Sequence, residues 1–391
     1  MSRPGRRGRP PGRAPKVREG VEARRTALEV LARVEDDGAY ANLALGHALD
    51  RSGLGTADRA FVTDVVYGTL RHQRGLDHLA ERFLTSAPPG PARRALRLGA
   101  YQLVHRDDVP DHAAVGATVE ATPKRYRGLV NAVLRRIATA PVEYPDDATR
   151  LSYPDWVVER LVEDLGRERA LGALEAMNQP ARPNVRDDGY VQDLASQWVA
   201  ELVPAGEGDT VLDLCAAPGG KATAIAHRGA TVLAADLQPQ RVRLVADNVA
   251  RTGAAGAFPV VADARRPPAR VAVADAVLLD APCTGLGVLR RRPDARWRLD
   301  AGAVERLAAL QRELVDAAVP LVRPGGVLVY SVCTLTEAES IGVDRHVEAA
   351  HPQLEPLDPP GGPWEAHGRG AILLPQAAST DGMCLFRYRV P

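Results

Sequence analysis

Two cysteines, Cys283 and Cys333, stand in surroundings that suggest reaction rather than packing. Cys283 closes the loop Asp280-Ala281-Pro282-Cys283, and Cys333 leads into Thr334-Leu335-Thr336-Glu337, each just after an apolar run that reads as a strand. A free cysteine is commonly a small buried hydrophobe, which is the preferred reading for Cys384 in the last apolar run. A thiol in a strand-end loop beside a ligand is where reactivity belongs. Earlier comes Leu214-Cys215-Ala216-Ala217-Pro218-Gly219-Gly220-Lys221, whose small residues let the backbone approach a ligand closely. Its spacing is not the G-x-G-x-x-G of nicotinamide enzymes. Its lysine is conspicuous, because Lys16, Lys124 and Lys221 are the only lysines in the chain. Lys221 either acts directly or neutralises nearby carboxylates. Asp236 and Asp263 follow two further apolar runs, where carboxylates suit the ribose hydroxyls and the adenine edge of an adenosyl group. Any one of Asp236, Asp263 and Asp280 could merely cap a helix. Three at successive strand ends, after a Gly-rich turn, favour a nucleoside cofactor.

Thiols beside an adenosyl group fit one chemical problem well. C5 of cytosine is too weak a nucleophile to attack a methyl sulfonium, but thiolate addition at C6 turns C5 into an enamine carbon that can. Asp280, bonded to the N3 and amino edge of the base, would stabilise the charge that develops. A free thiol has a pKa of about 8.5, so the attacking cysteine needs an electropositive neighbour or the cofactor's own sulfonium. Methylation of exocyclic amines commonly uses an Asn/Asp-Pro-Pro-aromatic loop, and Asp-Ala-Pro-Cys argues for carbon instead. The residues alone leave two candidates for the nucleophile, because a Pro-Cys thiol attacks in DNA cytosine methyltransferases. The base must leave its stack to expose C6, which points to a single-stranded or loop cytosine.

The elements that must position these groups are legible as patterns. Thr210 to Cys215, Ala230 to Asp236, Phe258 to Ala262, Asp275 to Asp280 and Gly326 to Cys333 read as buried parallel strands. Pro239 to Arg251 and Asp300 to Val322 read as crossover helices. Ala371 to Leu374 and Met383 to Val390 flank Asp381-Gly382 and read as an antiparallel pair at the sheet edge. The expected fold is α/β: a Rossmann-like, doubly wound mixed sheet ending in an antiparallel hairpin. Upstream, Ala27-Leu28-Leu31-Val34, Phe61-Val62-Val65-Val66 and Val130-Val133-Leu134-Ile137 repeat at helical period, so an all-helical domain precedes the sheet. Arg24, Arg25, Arg71, Arg74, Arg135 and Arg136 are assigned to its polar faces, either meeting phosphates or simply solvated. Pro141, Pro145 and Pro154 punctuate a linker, followed by a helical stretch from Trp156 to Met177. The expected division is a basic tail over 1–20, a helical domain over 21–140, a linker with a short helical subdomain over 141–200, and the sheet domain over 201–391.

A net charge of +1 hides an asymmetry: residues 1–20 carry Arg3, Arg6, Arg7, Arg9, Arg13, Lys16 and Arg18 against Glu19. Such a tail buries no core and is expected to be disordered, contacting phosphate or aiding solubility. Arg290-Arg291-Arg292 and Arg296-Trp297-Arg298 read equally as a phosphate and base-stacking surface or as a basic turn around a core Trp. No apolar run is long enough for a bilayer, and the basic N-terminus lacks a signal-peptide core, so a soluble cytoplasmic protein is expected. Cys215, Cys283, Cys333 and Cys384 lie far apart without a Cys-x-x-Cys pair, so free thiols and no metal are expected.

Leu212-Asp213-Leu214-Cys215-Ala216-Ala217-Pro218-Gly219-Gly220-Lys221, the run Asp280 to Arg291, and Tyr330-Ser331-Val332-Cys333-Thr334 carry a resemblance. The chain resembles the bacterial Sun/Fmu-type family of small-subunit (16S) rRNA cytosine-5 methyltransferases. The resemblance implies a class I S-adenosylmethionine (AdoMet) fold behind a NusB-like RNA-binding domain, with RNA as partner; a monomer without membrane association is expected. It implies AdoMet contacts at Cys215, Ala216, Ala217, Pro218, Gly219, Gly220, Lys221, Asp236, Asp263 and Asp280. Cys333 would be the nucleophile, Cys283 would help release the product, and Asp280 and Lys221 would join them in catalysis. Tyr190-Val191-Gln192-Asp193 with Gln197 resembles the family's lead-in to the catalytic domain. Three positions depart from its pattern: Val332 stands where Thr is usual, Ser340 follows Glu339 where Asn is usual, and Pro183-Asn184-Val185-Arg186 meets Tyr190 without the usual RRM-like insertion. A silent RNA-binding assembly factor, and an enzyme for tRNA or another RNA, are the alternatives.

Overall fold

The computed structural model describes residues 20–391, so the basic tail expected over 1–20 lies, Gly20 apart, outside the described residues. The chain forms two compact units that divide between Pro145 and Asp146. The first is helical, with Val21–Asp36, Thr56–Arg71, Gly90–His105 and Arg127–Ile137 among its helices. Its core uses the positions of helical period, including Ala27, Leu31, Val62, Val66, Val130 and Leu134. Two of the arginines assigned to polar faces are not there. Arg24 is buried, donates to Gln102 Oε1 at 2.8 Å and lies over the Phe61 ring, and Arg71 is buried as well. Arg25, Arg135 and Arg136 are exposed. An arginine can turn its head inward where a buried acceptor waits, which periodicity cannot reveal.

The second unit contains β1 (Thr210–Asp213), β2 (Thr231–Asp236), β3 (Ala257–Val261), β4 (Ala274–Asp280), β5 (Val322–Val332), β6 (Glu355–Pro356), β7 (Glu365–His367), β8 (Gly370–Leu373) and β9 (Met383–Arg389). The sheet order is β3-β2-β1-β4-β5-β9-β8-β7, with β6 on β9. The first five strands are parallel and β9 runs antiparallel to β5. The expected pair is antiparallel, but it is not the edge: β9 lies inside, between β5 and β8, and β7 forms the border. β6 and β7, of two and three residues, were too short to leave a pattern.

Buried apolar runs make the central strands: Val211 and Leu212 in β1, Ala276 to Leu279 in β4, Val327 to Val332 in β5. Helices Gly220–Ala226, Pro239–Thr252 and Gly302–Ala318 connect them. The helical stretch expected from Trp156 to Met177 consists of two helices, Asp155–Leu165 and Arg167–Ala176, broken at Gly166, whose φ of 78° leaves the helical region. Tyr153, Leu161, Leu174 and Met177 from this stretch share a core with Leu279, Val332 and Phe386, so it packs into the second unit. Parallel order β2-β1-β4-β5 sets four strand ends, Asp213, Asp236, Asp280 and Val332, along one edge, with the chain's direction of winding reversing at β1.

Candidate active site

The Gly-rich turn leaves β1 and returns at once into helix Gly220–Ala226. Gly219 holds φ 105°, a region closed to ordinary side chains, and its N–H donates to the Ala216 carbonyl at 2.7 Å. Neighbours fix the rest of the turn. Ala216 N–H donates to Ala235 O at 2.8 Å, Arg241 reaches Ala217 O at 3.0 Å, and Asn248 reaches Pro218 O at 2.8 Å. A Cβ at Gly220 would fall 2.9 Å from Gln192 Nε2 and from Tyr190 Cε1, so the lead-in segment presses on this turn. That segment closes tightly: Val185 pairs with Val191 and Gln192 N–H donates to Asn184 O at 2.9 Å. Arg186 then bonds Gln192, Gly220 and Thr223.

Asp236, at the end of β2, accepts from Ala217 N–H at 3.3 Å and Gln238 N–H at 3.2 Å. Asp263 follows β3, where Arg265 holds its carboxylate at 2.7 Å and keeps it below the usual range. Asp213, fully enclosed under the turn, is pushed up to about 7 by burial first and then by Asp280. Its Oδ1 has no hydrogen-bond partner among the described residues. Cys215 beside it is pushed far above the usual thiol range by burial and by Asp213.

Asp280 and Ser331 are register partners on β4 and β5, and Ser331 Oγ donates to Asp280 Oδ1 at 2.8 Å. Lys221 Nζ takes the other oxygen at 2.6 Å. Burial works against the lysine's charge, but Asp280 outweighs it and holds Lys221 protonated above its ordinary range, with Cys333 also within electrostatic reach. The two thiols converge: Cys283 Sγ lies 3.3 Å from Cys333 Sγ. The Cys333 contact, then burial, then the charges of Cys333, Glu339 and Asp280 push the Cys283 thiol well above the usual range. Cys384 is buried in the core, away from solvent.

The basic residues after the Pro-Cys loop resolve toward structure. Arg291 bonds Asp193 at 2.6 Å and Asp381 at 2.9 Å, Arg290 is buried on Thr380 O, and Arg296 is buried over Tyr153 with a 3.1 Å bond to Ser152 O. These three therefore do not form the phosphate surface that is one of the two readings of the run: they turn inward onto carboxylates and carbonyls, whereas Arg292 and Arg298 are exposed. Sequence reasoning noted Glu339 only as a neighbour of the Ser340 departure. The structure buries Glu339 between the loops of Cys283 and Cys333, and Ser340 Oγ bonds Thr336 O at 2.6 Å and His367 Nε2 at 3.0 Å. Nothing in the spacing distinguishes Glu339 from Glu337, which is partly exposed.

Asp213, Asp236 and Asp280 gather beneath a turn without side-chain bulk, with Lys221 bonded to Asp280 and Arg241 Nε 3.4 Å from Asp236. An unpartnered buried carboxylate oxygen, acidic neighbours and a backbone cradle fit a cationic nucleoside such as AdoMet. Among the described residues no group of three or more His, Cys, Asp or Glu is arranged to hold a metal, and no helix is long and apolar enough to cross a membrane.

Fold and site together define an AdoMet-dependent methyltransferase carrying a NusB-like helical unit. The model of the 16S rRNA methyltransferase RsmB/F family matches residues 200–388, and that of the NusB family matches 21–139. Ribosomal RNA small subunit methyltransferase B of Thermus thermophilus is 40% identical over 94% of this chain and 97% of its own length. The probable ribosomal RNA small subunit methyltransferase B of Bacillus subtilis is 30% identical over 94% and 99%. Among solved structures, PH0851 superposes with TM-score 0.76 at 22% identity, covering 94% of this chain and 98% of its own, which is a likeness of fold. The chain belongs to the RsmB/F family of 16S rRNA methyltransferases, and its methyl donor is AdoMet.

Proposed function

We propose that the chain methylates C5 of a cytosine in small-subunit rRNA through a covalent bond between Cys333 and C6. The observation that carries this reading is the 3.3 Å approach of the Cys283 and Cys333 sulfurs beside the Lys221–Asp280 pair. AdoMet, held by Cys215 to Lys221 with Asp236, Asp263 and Asp280, supplies an electrophilic methyl group on its sulfonium sulfur. The protein's own groups do the rest. Lys221, held protonated by Asp280, is the cation within electrostatic reach of the Cys333 sulfur. Asp280 accepts the 4-amino N–H of the base and orients the ring, and the Lys221–Asp280 pair supplies the donor that N3 needs as C6 is attacked. In release, the C5 proton leaves to water, the S–C6 bond breaks, and the Cys283 S–H hydrogen-bonds the departing Cys333 sulfur. The helical unit, taken as 21–140, binds the RNA; 141–200 is a shortened subdomain, and 201–391 carries the chemistry.

Purified protein with methyl-labelled AdoMet and unmethylated small-subunit rRNA is expected to place label at cytosine C5. Cys333→Ala forms no protein–RNA adduct, whereas Cys283→Ala accumulates one. Label absent from every folding state of that RNA, with RNA binding indifferent to both substitutions, would make the chain a silent assembly factor. The reverse adduct pattern would exchange the two cysteines' roles.

A further inference from the structure

One carboxylate grips the residue after each thiol. Glu339 is fully buried, and its bonding partners include no cation. Oε1 accepts from Thr284 N–H at 2.8 Å and Gln311 Nε2 at 3.1 Å. Oε2 accepts from the hydroxyls of Thr284 at 2.6 Å, Thr336 at 2.8 Å and Thr334 at 3.0 Å. Thr284 follows Cys283, Thr334 follows Cys333, and the two hydroxyls lie 2.9 Å apart. Gln311, reaching in from helix Gly302–Ala318, also donates to the Pro282 carbonyl at 2.9 Å, and Tyr330 OH donates to the Glu339 carbonyl at 2.7 Å. A buried carboxylate is costly unless its lone pairs are filled, and here neutral donors from both thiol loops fill them.

We infer that Glu339 is a positioning residue that fixes the separation of the two sulfurs and their division of labour, keeping Cys283 as donor and leaving Cys333 to attack. This rests on the assignment of Cys333 as nucleophile. The groups facing Cys283 are Cys333 at the end of β5, Tyr330 within it, Asp280 at the end of β4, and Glu339. All of these that ionise become negative, so each opposes a Cys283 thiolate. Lys221, by contrast, faces Cys333. Losing the Glu339 charge and its bonds to Thr284 therefore frees the wrong thiol to ionise and lets the sulfurs drift.

The test is Glu339→Gln in the full chain, read by turnover, by KM for AdoMet and RNA, and by the pH profile of alkylation at each cysteine by iodoacetamide, resolved by peptide mass spectrometry. Turnover is expected to fall about a hundredfold, the effect of misplacing a reacting group by about 1 Å, with both KM values little changed. The alkylation midpoint of Cys283 moves to lower pH. Should Glu339→Gln not fold, Thr284→Val cuts the 2.6 Å bond while keeping the charge and is read by turnover, with Thr284→Ser restoring it. A folded variant with unaltered turnover, or Glu339→Gln with lowered turnover and the Cys283 profile unmoved, overturns the inference. The profiles need no methyl transfer, so they decide the role of Glu339 even where the wild type places no label on RNA.

Discussion

Asp213 is the residue whose chemistry is most altered by its place in the fold. Burial raises its pKa to about 7, against about 4 in an unfolded chain. Between those values the folded protein keeps a proton that the unfolded chain has shed, so the group's contribution to stability is complete at low pH and is lost as pH rises through about 7. Asp381, raised to about 6 by burial and by Asp193, works in the same direction over an overlapping window. Denaturant unfolding followed from pH 4 to 7.5 should therefore give a wild type whose stability falls with pH more steeply than that of Asp213→Asn. Asp381 leaves a residual slope in both proteins. Parallel curves would mean that Asp213 is ionised in the folded state. At this scale the sequence was informative where strand ends converge: a thiol or carboxylate just after an apolar run is delivered to the shared edge. It was silent where a side chain's direction decides. Arg290 and Arg296 turn inward, and Glu339 is buried two residues after a partly exposed Glu337, whereas the Lys221–Asp280 pair was one of the two readings that the sequence offered for the lysine.

Elements converge on the thiols through backbone as well as side chains. Gly287, past the Pro-Cys loop, donates its N–H to the Cys333 carbonyl at 3.0 Å and accepts from Gly382 N–H at 2.8 Å. Three segments thus meet at one glycine: the loops after β4 and β5 and the turn into β9. A Cβ at Gly287 would fall 2.3 Å from Gly382 O and 3.0 Å from Cys333 O, and neither backbone atom can swing aside. Gly287→Ala should cost about 1–3 kcal/mol of stability, the usual penalty of overpacking, seen as a lower denaturant midpoint with unchanged slope. It should also slow turnover, because the strain falls on the Cys333 loop itself. An alanine variant with wild-type midpoint and turnover would show that this junction yields without consequence. The central strands were legible because buried parallel segments are continuous apolar runs; β3, expected to be buried as well, lies at the sheet edge with Phe258 and Val261 exposed. The place of β9 was not, since pairing order is set by contacts distant in sequence and leaves no trace in local period. The break at Gly166 had a visible glycine, but glycine within a helical pattern is often tolerated.

At the scale of the molecule, apolar packing is organised unit by unit. Leu31, Val66, Leu96 and Leu134 form a core in the helical unit, whereas the helices of 155–176 join the core that lies beneath β4, β5 and β9. A unit with its own core can fold alone, so residues 146–391 expressed by themselves should unfold cooperatively and bind AdoMet with the affinity of the full chain. RNA binding is where the two proteins should part. Exposed arginines such as Arg25, Arg135 and Arg136 lie on the helical unit, and each phosphate that is no longer neutralised flattens the dependence of log affinity on log salt by about 0.7 for a single strand. Titration of the same rRNA fragment at several salt concentrations should give the shorter protein weaker binding and a shallower slope. Weaker binding with an unchanged slope would assign the helical unit to shape or base recognition rather than to phosphate binding. Unchanged binding would move the whole RNA site onto the sheet domain.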